Sequence, residues 1–221
     1  MKPKAVVLLS GGIDSSTTLY YALNKGYLCR VLVFNYSQRH VREINSAKKI
    51  ASLAGVDYFV LKLNFPWRGS ALLDKNAKIP LGKEDRKGIP STYVPARNII
   101  FLSYALSYAE SISASEIFIG ANAVDYSGYP DCRPQFIRAF QKMALVGTKA
   151  GVEGKGIKIS APLIKMKKSE IIKLGAKLGV PYEYTWSCYR GGKIPCGRCD
   201  SCILRKKGFK EAGLEDPLWK R

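Results

Sequence analysis

The chain has 221 residues, 47% of them hydrophobic, and carries 36 Lys and Arg against 17 Asp and Glu for a formal charge of +19. That length and apolar share suit one compact domain with a small appendage and exclude a disordered chain. No apolar run reaches the ~18 residues of a membrane helix, and the chain enters a strand-like segment without the longer apolar core of a secretory leader, so a soluble cytoplasmic protein with no membrane partner is expected. The basic residues are spread along the chain, with short dense runs only at 165–168 and 205–210. A Lys-rich solvated surface explains the charge without a direct nucleic-acid partner, although such a charge can also mark a nucleic-acid surface.

The first predicted strand covers 5–9 and runs into Ser10-Gly11-Gly12-Ile13-Asp14-Ser15-Ser16, followed by a helix at about 15–25. Paired glycines let the backbone turn tightly against a ligand, and the following helix aims its free amides and positive dipole end at it. Nucleotide contacts are expected from Leu8 and Leu9 through Ser10, Gly11, Gly12, Ile13, Asp14, Ser15 and Ser16 to Thr17 and Thr18. Asp14 would repel a bare phosphate, which points to a divalent cation beside it. A Walker A loop is excluded, because no lysine directly follows the last glycine, and the dinucleotide fingerprint lacks its third glycine.

Further strands are predicted at 31–34, 58–63, 117–119 and 157–159, with helices between them at about 41–54, 96–112, 134–146 and 168–178. This alternation predicts a Rossmann-like α/β fold, a parallel sheet with helices on both faces. Cys29 opens a strand as a small core residue, and His40 is the single histidine, better suited to a supporting hydrogen bond than to a Ser-His-Asp triad. The irregular stretch 64–95 reads as a lid or a disordered excursion. Arg97, at a helix start, can meet phosphate or substrate, or only a surface acid. After the fourth strand, Asp125, Tyr129, Asp131 and Arg133 crowd one polar loop where open α/β sheets bind ligands. Such carboxylates can accept from the amidine-like edge of a guanine-type base, and tyrosines can stack on it; a solvated turn has the same composition. Cys132 in that loop reads as packing or substrate contact.

The tail, 186–221, is too short for a core of its own and needs a staple. Cys188, Cys196, Cys199 and Cys202 offer four thiolates at metal-ligand spacing, which suits one structural Zn2+; an iron–sulfur cluster is the rival. The expected division is 1–185 for the α/β body and 186–221 for the cysteine segment.

The Ser-Gly-Gly-x-Asp-Ser string resembles the PP-loop of the ATP-pyrophosphatases, a superfamily that includes ammonia-dependent ligases and RNA thiolation enzymes. More of the chain resembles the 7-cyano-7-deazaguanine synthase family: residues 9–16, Tyr36-Ser37-Gln38-Arg39-His40, Tyr93-Val94-Pro95-Ala96-Arg97-Asn98, the loop 125–133, Ala161-Pro162-Leu163, and Thr185-Trp186-Ser187-Cys188 through Cys202. The resemblance implies an adenine nucleotide alpha hydrolase-like fold and an ATP- and Mg2+-dependent ligase. It would turn 7-carboxy-7-deazaguanine and ammonia into the nitrile by way of an acyl adenylate and an amide, for queuosine or archaeosine synthesis. It also implies phosphate contacts at the loop, catalytic roles for Asp14, Ser15, Asp125, Asp131 and Arg133, and substrate contacts at Asp125, Tyr129, Asp131 and Arg133. A homodimer is implied as well. The alternative is a tRNA thiolation enzyme on the same scaffold, with Cys132 or a metal-bound thiolate carrying sulfur.

Overall fold

The computed structural model describes residues 2–67, 69–74, 76–82, 88–124 and 128–220. Five parallel strands, β1 (Lys4–Leu8), β2 (Leu28–Asn35), β3 (Tyr58–Lys62), β4 (Glu116–Ile119) and β5 (Lys158–Ser160), line up in the order β3-β2-β1-β4-β5. The helices α1 (Ile13–Asn24), α2 (Arg42–Leu53), α3 (Arg97–Ser111), α4 (Pro134–Gly147), α5 (Lys149–Val152), α6 (Lys168–Lys177) and α7 (Asp200–Ala212) fill the connections. Each strand and each of the five longer helices expected from the sequence is present; α5 and α7 are additional.

The two-residue period of the strands builds two cores. Val6 and Leu8 of β1, with Leu32, Phe34, Ile117 and Ile119, face α3 and α4 through Leu102, Ala105, Ile137 and Phe140. Ala5, Val7 and Leu9 face the other way, with Val31, Val33 and Phe118, against Leu19 of α1 and Ile44, Ala47 and Ile50 of α2. Both faces of β1 are therefore buried, which is why four of its five residues read as an unbroken apolar run. A third cluster joins Ile13, at the start of α1, to Ile171 and Ile172 of α6 and Phe209 of α7.

The cysteine segment is bound into this body by polar contacts as well. Arg205 is 2% exposed and makes a bidentate ion pair with Asp216 at 2.6 and 2.7 Å, while its third nitrogen donates to Thr185 Oγ1 at 2.8 Å. A residue from a run that looks solvated in sequence is thus an internal tie between α7 and the segment entering it. The stretch 64–95 is anchored too, over its described residues. Ser70, Ala71, Ile79, Thr92 and Val94 are buried, and Leu81 forms a bridge to Cys199. Among the described residues no helix is long and apolar enough to cross a membrane.

Candidate active site

Chain direction across the sheet reverses between β1 and β4, so the loops leaving these neighbours diverge and open a crevice at their carboxyl ends. The two loops press together: a Cβ on Gly120, just after β4, would sit 2.8 Å from the backbone nitrogen of Ser15. Gly11 is equally constrained, with φ +83° and only 2.4 Å between a hypothetical Cβ and the carbonyl oxygen of Glu43 in α2. Glycine here lets α2 dock against the loop.

The cleft is walled on one side by Leu8, Leu9, Ser10, Gly12, Ile13, Asp14 and Ser15. The helix begins at Ile13, so the amides of its first turn lack partners within the helix and present donors to an anion. Ser10 and Ser15 hydroxyls lie 3.0 Å apart, and Ser15 Oγ also accepts from the Ser10 amide at 3.1 Å, which holds the turn closed. Gly11, Ser16, Thr17 and Thr18 stay out of the cleft wall. Ser16 donates to the Gly12 carbonyl at 2.7 Å, Thr18 to the Asp14 carbonyl at 2.9 Å, and Thr17 meets Tyr182, so these hydroxyls shape the turn from behind.

A cation absent from the sequence-derived site stands beside the loop. Lys168, the first residue of α6, is 8% exposed, and its Nζ donates to both carboxylate oxygens of Asp14 at 2.6 and 2.8 Å. Its position is fixed by the turn before it. Asn122 Nδ2 donates to the carbonyls of Leu163 and Met166, and the Glu170 carboxylate accepts from the Lys167 amide at 2.6 Å. Lys168 supplies the counter-charge to Asp14, so the repulsion that pointed to a divalent cation is relieved by the protein itself.

The facing wall carries Tyr36, Glu43, Arg97, Tyr129 and Cys132. Arg97 donates to the Tyr36 hydroxyl at 3.3 Å, and its guanidinium lies over the rings of Tyr36 and Phe101. Glu43 is held up at about 7 by burial, against the opposing pull of Arg97. Tyr129 stacks on Tyr93 and shares a 2.6 Å hydrogen bond with Thr92. Burial, with the Asp131 charge adding to it, pushes the Cys132 thiol up to about 12. At neutral pH this is a protonated, buried thiol and not a nucleophile.

The polar loop after β4 splits. Tyr129 reaches the cleft, whereas Asp131 is buried outside its wall and accepts from the Asn98 amide at 3.0 Å, in the first turn of α3. It acts as a cap that orients Arg97, since a carboxylate bonded to a helix-terminal amide is satisfied where it stands. Arg133 is exposed, sits at the N-cap position of α4 and does not line the cleft. Asp125 lies outside the described residues.

At the back of the cleft, the sulfurs of Cys188, Cys196, Cys199 and Cys202 all lie within 4.8 Å of one another. Backbone amides donate to them: Arg190 and Cys196 to Cys188, and Arg198 and Cys199 to Cys196. Hydrogen bonds from Cys199 and Cys202 pull Cys188 down towards the thiolate. Tetrahedral thiolates around one ion with ~2.3 Å bonds stand about 3.8 Å apart, close to the 4.0 Å between Cys196 and Cys202. A multi-iron cluster would hold the sulfurs farther apart. The set fits one closed, four-thiolate metal site. His40 packs beneath it, its ring against Gly191, with Nδ1 buried and unpartnered among the described residues. Burial lowers the pKa of this imidazole, and it does not line the cleft.

Residues 4–213 match the family described as queuosine biosynthesis protein QueC. The chain belongs to this family. Among curated relatives, a 7-cyano-7-deazaguanine synthase of Trichodesmium erythraeum is 56% identical over 97% of this chain and 99% of its own length. One of Thermoplasma acidophilum is 53% identical over 98% and 92%. The NMN synthetase structure from Francisella tularensis superposes with a TM-score of 0.51 at 14% identity, covering 97% of this chain and 78% of that one, and shares the fold. The QueC match spans both the loop after β1 and the cysteine cluster. It leaves Lys168 and Glu43 to be explained from geometry, because neither belongs to a motif that stands out in the sequence.

Proposed function

We propose that this chain is an ATP-dependent carbon–nitrogen ligase that makes 7-cyano-7-deazaguanine from 7-carboxy-7-deazaguanine and ammonia. The observation that carries this reading is the Asp14–Lys168 pair at the mouth of the phosphate loop, in a cleft whose other wall presents Arg97, Glu43 and aromatic rings. Family membership selects the substrate, since the curated relatives bear the synthase name. ATP would lay its β and γ phosphates on the amides of the first turn of α1, where the helix dipole favours an anion. The substrate carboxylate is a poor electrophile at neutral pH, so one of its oxygens attacks the α-phosphorus, forming the acyl–O–P bond and expelling pyrophosphate. Lys168, held on the Asp14 carboxylate beside the loop, stabilises the charge that builds on the α-phosphate oxygens. Ammonia then attacks the acyl carbon and AMP leaves, giving the amide. Activation of the amide oxygen by a second ATP, with loss of the two N–H protons and AMP, gives the nitrile.

Mg2+ would arrive with the ATP phosphates as its ligands, beside the Asp14–Lys168 pair, adding positive charge at the departing pyrophosphate. Cys188, Cys196, Cys199 and Cys202 would hold a structural Zn2+ that staples 186–221 to the 1–185 body. Tyr129 faces the heterocycle in this scheme, with Asp125 in the same loop; Asp131 contributes through the cap on α3, and Arg133 is given no substrate contact. The protonated Cys132 gives no support to a sulfur-transfer reading. A small-molecule enzyme of this kind works in the cytoplasm.

The test is incubation with ATP, Mg2+, ammonium and 7-carboxy-7-deazaguanine, following nitrile and pyrophosphate together. Two pyrophosphates per nitrile are expected, without tRNA. A mixture that stays inert until tRNA and a sulfur donor are added would favour thiolation instead.

A further inference from the structure

A guanine-type base differs from adenine in its edge. It offers two adjacent donors, the ring N1–H and the exocyclic 2-amino group, whereas adenine sets a donor beside an acceptor. Two adjacent donors call for a carboxylate. Among the described residues lining the cleft only Asp14 and Glu43 carry one. Asp14 is committed, since both of its oxygens accept from Lys168. Asp131 is committed as well, to the amide of Asn98 and outside the cleft wall.

Glu43 differs from both. It stands in the first turn of α2, its backbone fixed against Gly11, and its carboxylate makes no hydrogen bond or ion pair among the described residues. Half-buried in the cleft, it faces the guanidinium of Arg97 and the hydroxyl of Tyr36. Flat surfaces line the same cleft: the ring of Tyr36, and the indole of Trp186, which carries the Arg42 guanidinium 4.9 Å from its centroid. Glu43 is not among the buried unpartnered side-chain atoms of the described residues, so its oxygens stay accessible and open to a pair of donors from a ligand. A phosphate cannot supply these, and adenine matches only one of the two oxygens.

We propose that Glu43 is the specificity-determining residue that reads the N1–H and 2-amino edge of the deazapurine, with Arg97 set to meet an acceptor on the same molecule. This rests on the ligase reading above. It separates two tasks that the sequence places together in the loop 125–133. The edge of the base is read from α2, and the face of the base is covered from the β4 side.

The test compares 7-carboxy-7-deazaguanine with its 2-desamino analogue, in the unchanged protein and in Glu43→Gln, with nitrile formation followed and KM taken for heterocycle, ATP and ammonium. The unchanged protein is expected to favour the 2-amino substrate by at least about 100-fold in kcat/KM, because a site built to bond an N–H penalises its loss. In Glu43→Gln the KM for the 2-amino substrate should rise about 10–100-fold, as for a charge-assisted bond removed. Preference between the two heterocycles should shrink to a few-fold, and KM for ATP should stay put. Equal use of both heterocycles by the unchanged protein overturns the proposal even if the variant fails to fold. An effect of Glu43→Gln confined to the KM for ammonium also overturns it, and would make Glu43 an ammonia-handling group. If the unchanged protein forms no nitrile from either heterocycle, the ligase reading itself has failed, which is a distinguishable result.

Discussion

Lys168→Met is expected to lower pyrophosphate release by about 1000-fold, the scale on which removal of one pre-placed donor to a developing oxyanion is felt. The side chain is almost fully buried, and both of its short bonds go to Asp14. A purely structural ion pair would also weaken the protein when broken, because Asp14 would keep a charge without its partner. The two roles separate in a cycle. Asp14→Asn with Lys168→Met removes both charges, so stability should return towards that of the unchanged protein. A Lys168→Met variant that loses stability yet keeps its turnover would reduce Lys168 to a prop for Asp14. Lys168→Arg keeps the charge in a wider, planar group and should sit between the two, since the fork cannot reproduce the point contact of an ammonium.

Cys199→Ser is expected to strip the metal and lower the melting temperature by about 10–20 °C, taking ~5 kcal/mol lost at ~2–4 °C per kcal/mol for a chain of this size. Cys199 is fully buried at the N-cap of α7, with Cys202 in the first turn behind it. The damage should reach the active site. The Trp186 indole N–H donates to the Cys188 carbonyl at 2.9 Å, and the Trp186 amide donates to the Gly11 carbonyl at 2.8 Å. Two hydrogen bonds therefore link the cysteine loop to the phosphate loop. Metal content by elemental analysis, a melting curve and pyrophosphate release, taken on the same sample, should fall together. A metal-free variant with an unchanged melting curve and full turnover would show that the four cysteines staple nothing.

The strands and most helices are legible because a parallel sheet buries both faces of its strands and half of each covering helix, and these leave simple periods in the sequence. α7 is not legible for a physical reason. Its buried face is Ser201, Cys202, Arg205, Gly208 and Phe209, so a helix that packs tightly shows almost no aliphatic stripe. Arg205 and Lys168 both hide inside basic runs, where a solvated surface is the ordinary reading. Only the fold reveals that Asp216 and Asp14 wait for them. A signal for Lys168 exists in retrospect: Glu170 closes back on the Lys167 amide, which marks Lys168 as the opening residue of a helix. Asp131 shows the opposite case. Its chemistry suits a base edge, but the partner that claims it, the Asn98 amide, lies 33 residues earlier. Glu43 looks like any acid in the first turn of an amphipathic helix, placed to suit the dipole. Its meaning comes from the Gly11 contact that turns that end of α2 into the cleft.

The account depends on a bond between the substrate carboxylate and the α-phosphorus of ATP. Carboxylate-labelled [18O]7-carboxy-7-deazaguanine, turned over with ammonium and ATP and followed by mass spectrometry of AMP and pyrophosphate, tests it directly. One labelled oxygen should appear in AMP for each activation, so that both substrate oxygens leave in two AMP molecules as the nitrile forms, and pyrophosphate should stay unlabelled. Label in inorganic phosphate or pyrophosphate, or ADP as the nucleotide product, would mean that ATP is cut elsewhere and that the phosphate loop after β1 does not do what is proposed for it.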